Sequence, residues 1–382
     1  MIRGITLRRP PISPAWVVLG ALIFLALVVA MIRYASGLGA ISNLNDNTGW
    51  GLWISFDLLC GVALASGAFI TASIVYLFGG EQYRPLLRPA ILTGFLGYLM
   101  VILALMVDLG RPERIWYLII FWNHHSVMFE VGWCVMLYTF VLALEFSPLV
   151  FERFGLRAPL RLIHALIIPL AIAGATLSTL HQSSLGSLYV ILPDQLHKIW
   201  YTPLLPLMFW LTAVAVGPAM VILESTISSR VFRRGLGLDL LGGLARVIPF
   251  VLAAYMAVKI GDLAGSGELG LLAEWDLESG LFWLEIMGFV FLPMVLFSLP
   301  AVRQSSAWLM FSAFLVVSEV VLSRFAVGLI AIGRPEFAAS YVPHPLEFAV
   351  TIGIVSAGIA AFGLVARYLP LFTEYAPSSA AE

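Results

Sequence analysis

An all-α polytopic membrane protein, with about ten transmembrane helices in a single integral membrane domain, is the fold class this sequence predicts. Three observations carry that reading. Of 382 residues, 61% are hydrophobic and 11% charged, whereas soluble domains carry roughly 25% charged residues. The mean hydropathy is +0.98. The apolar residues also gather into runs of about 20 or more, the length a helix needs to cross a bilayer. These runs are apolar on every side, without the alternation of a transmembrane β-strand. Lys and Arg total 21 against 22 Asp and Glu, a net charge of −1, so no basic surface points to nucleic acid. Two cysteines, Cys60 and Cys134, lie inside apolar runs. They are too few for a disulfide framework or for an iron–sulfur cluster, which takes about four thiolates.

In chain order the spans are expected near 14–38, 50–78, 85–109, 124–149, 160–181, 201–227, 241–265, 278–299, 305–333 and 346–370. The first is too long for a signal-peptide core and no small-residue cleavage site follows it, so it should remain as a helix. About two thirds of the Lys and Arg residues fall on the N-terminal side of this arrangement, Arg3, Arg8, Arg9, Arg84, Arg88 and Arg153 among them. The opposite side carries Arg33, Arg111, Arg114, Lys198 and Arg334, with the acidic stretch Glu268, Glu274, Asp276 and Glu278. The positive-inside rule then puts both termini in the cytoplasm. Residues 182–200, QSSLGSLYVILPDQLHKIW, are too polar to span and too apolar for a free loop. They are expected to lie as an amphipathic connector on the outer face.

Ionisable residues at membrane depth are costly, at least about 2.5–3.5 kcal/mol on insertion scales, and mark functional sites by default. Here they favour the outer half: Asp57 with Trp53 one turn earlier, Asp108 followed by Gly110 and Arg111, His124 and His125 opening the fourth span, Glu130 just inside it, and His181 ending the fifth. Lys259 and Asp262 close the seventh span and read as an ion pair, while Glu285 enters the eighth. Glu130 and Asp57 have no basic neighbour on their own helix face, which makes them the strongest candidates. Glu130, Cys134, Tyr138 and Glu145 share one broad face of the fourth span. The two carboxylates are separated by about 22 Å along a helix rising 1.5 Å per residue, the spacing of a proton route with Tyr138 or water between them.

A short internal repeat organises the chain. VDLGR at Asp108 and MFEVGW at Glu130 recur as GDLAG at Asp262 and WLEIMGF at Glu285, in the same orientation and at nearly the same separation. That is the pattern of a parallel duplication of a four-helix unit. Residues 50–181 form the first unit, carrying the chemistry, and 201–333 the second, with flanking helices at 14–38 and 346–370. Leu211 stands where the second unit would repeat Asp57.

The stretches WGLWISFDLLCG from Trp50, EQYRPLLRPA from Glu81, SVMFE ending at Glu130, LALEFSP ending at Pro148 and HQSSLGSL from His181 resemble the HybB family. These are the integral membrane subunits of hydrogenase-2-type respiratory nickel–iron hydrogenases, within the NrfD/polysulfide-reductase superfamily. The resemblance implies a bacterial or archaeal cytoplasmic (inner) membrane protein with two four-helix bundles and flanking helices, and with no haem or metal of its own. It also implies electron transfer to a membrane quinone, menaquinone or ubiquinone. The electrons would come from an extracytoplasmic ferredoxin-like iron–sulfur subunit docked on the outer face, fed by the nickel–iron hydrogenase large and small subunits. By the same resemblance Glu130 is the glutamate of quinone-coupled proton transfer, and Asp57 and His181 line the same region. Since quinone reduction consumes two protons, Asp57, Glu130 and His181 are the candidate proton partners of the quinone, Glu130 and Asp57 foremost. Trp53, His181, His125, Arg111 and Asp108 are candidates to line its pocket, and Glu145 and Tyr138 to continue the proton path. Two other readings stay open. A di-haem anchor needs facing histidines, and a secondary transporter suits parallel repeats but not polar residues gathered near one face. Within the superfamily, the match is to the hydrogenase branch, and the alternative partner is an oxidoreductase of sulfur or nitrogen compounds or a multihaem complex.

Overall fold

The computed structural model describes residues 13–45, 50–274, 276–330 and 341–372. Arg3, Arg8, Arg9 and Arg334, which entered the charge asymmetry, lie outside them, as do residues 331–333 of the expected ninth span. Every regular element among the described residues is helical. Ten helices are long and apolar enough to cross a membrane: Pro14–Ser36, Trp53–Tyr76, Glu81–Asp108, Val127–Phe154, Arg157–Val190, Leu205–Val231, Leu238–Ser266, Leu277–Ser298, Ser306–Ile330 and Pro345–Tyr368. They are spans one to ten below.

Local chemistry sets their ends. The Ser126 hydroxyl accepts the Phe129 N–H at the start of span four, and Gly155, in the left-handed region at φ 69°, ends it. Asp276 caps span eight by accepting the Ser279 N–H. Span ten opens with a capping box: the His344 ring accepts the Leu346 N–H, and the Glu347 carboxylate accepts the His344 N–H. Such reciprocal bonds satisfy amides that have no partner within the helix.

Spans two and six are the interior of the molecule, with 78% and 67% of their apolar windows buried against 11% for span one. Spans two to five pack on one another, as do six to nine, and the two groups meet where span six contacts spans two and five. Spans one and ten pair with each other and lean on spans two and three. Gly353 is the close point of that pair. A Cβ there would overlap Ala26 and approach the Leu22 carbonyl at 2.9 Å.

Two expectations need correction. Span five does not end at His181 but continues to Val190, so residues 182–190 are membrane helix and not connector. Its serines bond back to their own helix, Ser183 to the Leu180 carbonyl at 2.9 Å and Ser187 to the Ser183 carbonyl at 3.2 Å, so their polarity does not break it. The rest of the connector folds inward, with Leu196, Ile199 and Trp200 buried. The second correction concerns Lys259. It pairs with Glu285 of span eight and not with Asp262, because its side chain points into the bundle, where a buried cation needs a carboxylate within reach.

Candidate functional site

The first polar assembly lies among spans three, four and five. Glu130, one turn into span four, is exposed, and its Oε1 accepts the Ser184 hydroxyl at 2.6 Å. His181 sits one turn from Ser184 on span five and is fully buried. Its Nδ1 shares a 2.8 Å hydrogen bond with the Tyr98 hydroxyl of span three. The Tyr98 ring meets the Tyr138 ring edge-on, centroids 4.7 Å apart. Beyond Tyr138, the Gly174 backbone leaves room in which Tyr138 and Glu145 both face the same point. Sequence reading named Glu130, His181, Tyr138 and Glu145 but missed Tyr98 and Ser184, which join them.

This row is not closed by protein hydrogen bonds. His181 Nε2, Tyr138 Oη, Ser178 Oγ and Glu145 Oε1 are buried without a protein partner. Buried polar atoms are nearly always hydrogen-bonded, so four of them in one row mark where ordered water fits. Hydroxyls, an imidazole and carboxyls all donate and accept, so these are groups that bridging water could join.

The second assembly lies on the other side of span three. Tyr98 and Val107 are nine positions apart, half a turn out of phase at 100° per residue, and Val107 packs with Trp53. Trp53 is buried among Val29, Ile41, Ala104, Val350 and Ile354, and its indole N–H donates to the Glu347 carbonyl at 3.3 Å. Asp57 accepts the Thr351 hydroxyl at 2.6 Å. Trp53 and Asp57 lie in a stretch of span two, Trp53–Cys60, wound as a π-helix, a form that recurs at functional sites. Asp108 ends span three beside Arg33, whose guanidinium bonds the Val107 and Leu109 carbonyls. Trp53, Asp57 and Asp108 are thus brought together by spans one and ten, while Glu130 meets span five at Ser184 and His181 meets span three at Tyr98. Arg111 and His125 lie in the exposed loop between spans three and four, where the His124 and His125 rings meet tilted at 42°, centroids 4.1 Å apart.

The third assembly lies in the second half. The Tyr255 hydroxyl donates to Glu285 Oε1 at 2.6 Å, and Lys259 Nζ donates to the same oxygen. Arg324 donates to the Phe209 carbonyl at 3.0 Å and the Thr212 hydroxyl at 2.8 Å, with its guanidinium 3.5 Å from the Phe209 ring centre. Glu319, one turn away on span nine, is fully buried. Among the described residues no three His, Cys, Asp or Glu side chains converge as a metal site.

Comparison with known proteins names the setting of these groups. The family described as "Polysulphide reductase, NrfD" matches residues 40–333. The chain is 34% identical, over 94% of its length and 93% of the relative's, to the probable Ni/Fe-hydrogenase 2 b-type cytochrome subunit of Escherichia coli. It is 30% identical to the menaquinone reductase integral membrane subunit of Nitratidesulfovibrio vulgaris, over 90% of this protein and 87% of that one. An eight-span body carrying both groups of four packed helices is what the match covers, and the protein is an integral membrane member of the NrfD family.

Proposed function

We propose that this chain is the quinone-reactive membrane subunit of a respiratory hydrogenase complex. It passes electrons from an extracytoplasmic iron–sulfur subunit to a membrane quinone and supplies protons through its buried carboxyls. The observation that carries the reading is the row from exposed Glu130 through Ser184, His181, Tyr98 and Tyr138 to buried Glu145. Reducing a quinone to a quinol takes up two electrons and two protons. The electrons need only closeness to the partner's last cluster, but each proton needs a donor near the oxygen that receives it. Glu130, placed at the mouth of the row, serves one oxygen and is recharged along the row. Asp57, on the other face of span three, is the second carboxyl read as a proton partner; with a helix about 10 Å across between them, the two stand for alternative seats of the head group.

The partner face is the side of the loops that follow spans one, three, five, seven and nine. By the charge asymmetry it is the outer side, with both termini cytoplasmic. The 34% identity to a hydrogenase-2 subunit supports a hydrogenase partner. The menaquinone reductase relative supports the alternative, a subunit of a different quinone-linked oxidoreductase. A bis-histidine haem needs two facing histidines. His181 is the buried histidine and Tyr98 holds its Nδ1, whereas His124, His125 and His164 are exposed. This donor set does not fit such a haem, and we assign none to the chain.

The test is turnover of the purified complex with quinone and, in parallel, with an artificial dye that takes electrons from the catalytic subunits. Glu130→Gln should lower quinone reduction by about 100-fold or more, within the range for general acid–base groups, and leave dye reduction unchanged. Equal activity of variant and wild type with quinone would remove Glu130 from the reaction.

A further inference from the structure

Spans one and ten lie outside the residues that the family match covers, 40–333, yet they wall the Asp57 side of the molecule. Span ten reaches Asp57 through a rigid sequence of contacts. Glu347, fully buried, has Oε1 accepting the Asn43 N–H at 3.0 Å and the His344 N–H at 2.9 Å. Its Oε2 accepts the Tyr341 hydroxyl, and that hydroxyl in turn accepts the Leu52 N–H at 3.1 Å. The Glu347 carbonyl takes the Trp53 indole N–H. One carboxylate therefore ties the start of span ten to the loop after span one and to the start of span two. Thr351 lies one helical turn further along, on the same face, with its hydroxyl 2.6 Å from Asp57 Oδ2.

We propose that the two spans outside the family match complete the quinone site, and that Thr351 is the positioning residue of the Asp57 carboxyl. The proposal rests on the reading of Asp57 as a proton partner. A carboxyl free to turn about its side-chain torsions spends part of its time aimed away from the oxygen it must protonate. With Oδ2 held by Thr351, the side chain keeps one rotamer and Oδ1 is the oxygen left to trade a proton with the quinol or quinone. The neighbouring groups do not substitute for this hold. Asp108 is a second acid, and the Arg33 guanidinium is engaged by carbonyls of span three. The ion pairs of the described residues do not include Asp57. Thr351 acts through Asp57, without touching substrate, so its removal should lower kcat and leave the quinone KM almost unchanged.

The experiment compares Thr351→Val, Thr351→Ser and Asp57→Asn in the purified complex, with quinone and dye assays side by side. Thr351→Val keeps the shape and removes the donor. It should lower quinone-dependent kcat about tenfold, the low end for losing a hydrogen bond to a charged group, with KM and dye reduction as in wild type. Thr351→Ser restores the donor and should restore kcat. If Asp57→Asn is inactive with quinone while Thr351→Val matches wild type, the positioning role is overturned and the reading of Asp57 survives. If Asp57→Asn itself reduces quinone normally, both fall. A loss in Thr351→Val that Thr351→Ser does not repair, or that raises KM instead of lowering kcat, shows a merely structural threonine and also overturns the proposal.

Discussion

Both halves of the protein place carboxyls in an apolar interior, but they give them different company. In spans two to five, Glu130 at the mouth and the buried Glu145 and Asp57 have hydroxyls and an imidazole nearby, from Ser184, Tyr98, His181 and Thr351. In spans six to nine, Glu285 is bonded directly to Lys259, while the buried carboxylate oxygens of Glu224 and Glu319 have no hydrogen-bond partner among the described residues. A carboxyl among neutral donors can exist with or without its proton, because neither state strands a countercharge. A carboxyl matched to a buried cation cannot give up its charge without leaving that cation uncompensated, which is costly. The first arrangement suits proton exchange and the second suits holding helices in register. The Glu285–Lys259 pair thus differs from the carboxyls of the first half in the charge it keeps.

The comparison breaks most visibly at Lys259. Lys259→Met leaves Glu285 buried without its cation and should destabilise the protein by about 3–5 kcal/mol, read as a lower thermal midpoint of the detergent-solubilised protein. Lys259→Met combined with Glu285→Leu should recover most of that loss. If the double variant recovers stability but loses quinone turnover, the second half is not simply structural and the contrast between the halves fails.

A smaller effect is expected at Tyr98. Tyr98→Phe removes the hydroxyl from His181 Nδ1 and interrupts the first row. The unpaired buried nitrogen should cost about 1–3 kcal/mol. Quinone turnover should fall while dye reduction holds, and unchanged quinone turnover would show that protons bypass this link.

The smallest effect belongs to the cap of span eight. The Ser279 N–H holds the Asp276 carboxyl below its usual range. A lowered folded-state value means that the cap contributes stability above the ordinary carboxylate pKa, about 3.9, and that this is lost as pH falls through the lower folded value. Asp276→Asn keeps an acceptor that does not titrate. Thermal unfolding below about pH 4 should therefore lose a little of its pH dependence in the variant. An unaltered acid limb would show that the cap does not matter in solution.

Much of this arrangement is legible in the sequence for a simple reason. A bilayer about 30 Å thick demands about 20 apolar residues per crossing, so ten spans announce themselves by length. Ends are less legible. HQSSLGSLYV at the end of span five looks too polar to span, yet its small side chains pack against span six: a Cβ on Gly186 would stand 2.6 Å from the Leu205 carbonyl. The carboxyls stood out because charge inside apolar runs is rare. Their partners did not. Tyr98 is an ordinary aromatic in an apolar run, and Thr351 is 294 positions from Asp57.

By itself, then, the sequence determined the class of protein, the spans and the acidic groups worth attention, since hydrophobic length and the cost of burying charge act on each segment independently. Only the tertiary structure decided the pairings: Lys259 with Glu285, Tyr98 with His181, Thr351 with Asp57. It also decided that Trp53 packs on one side of span three while His181 bonds the other. A side chain's partner depends on helix rotation and on which helices are neighbours, and the packing of all ten spans together sets both.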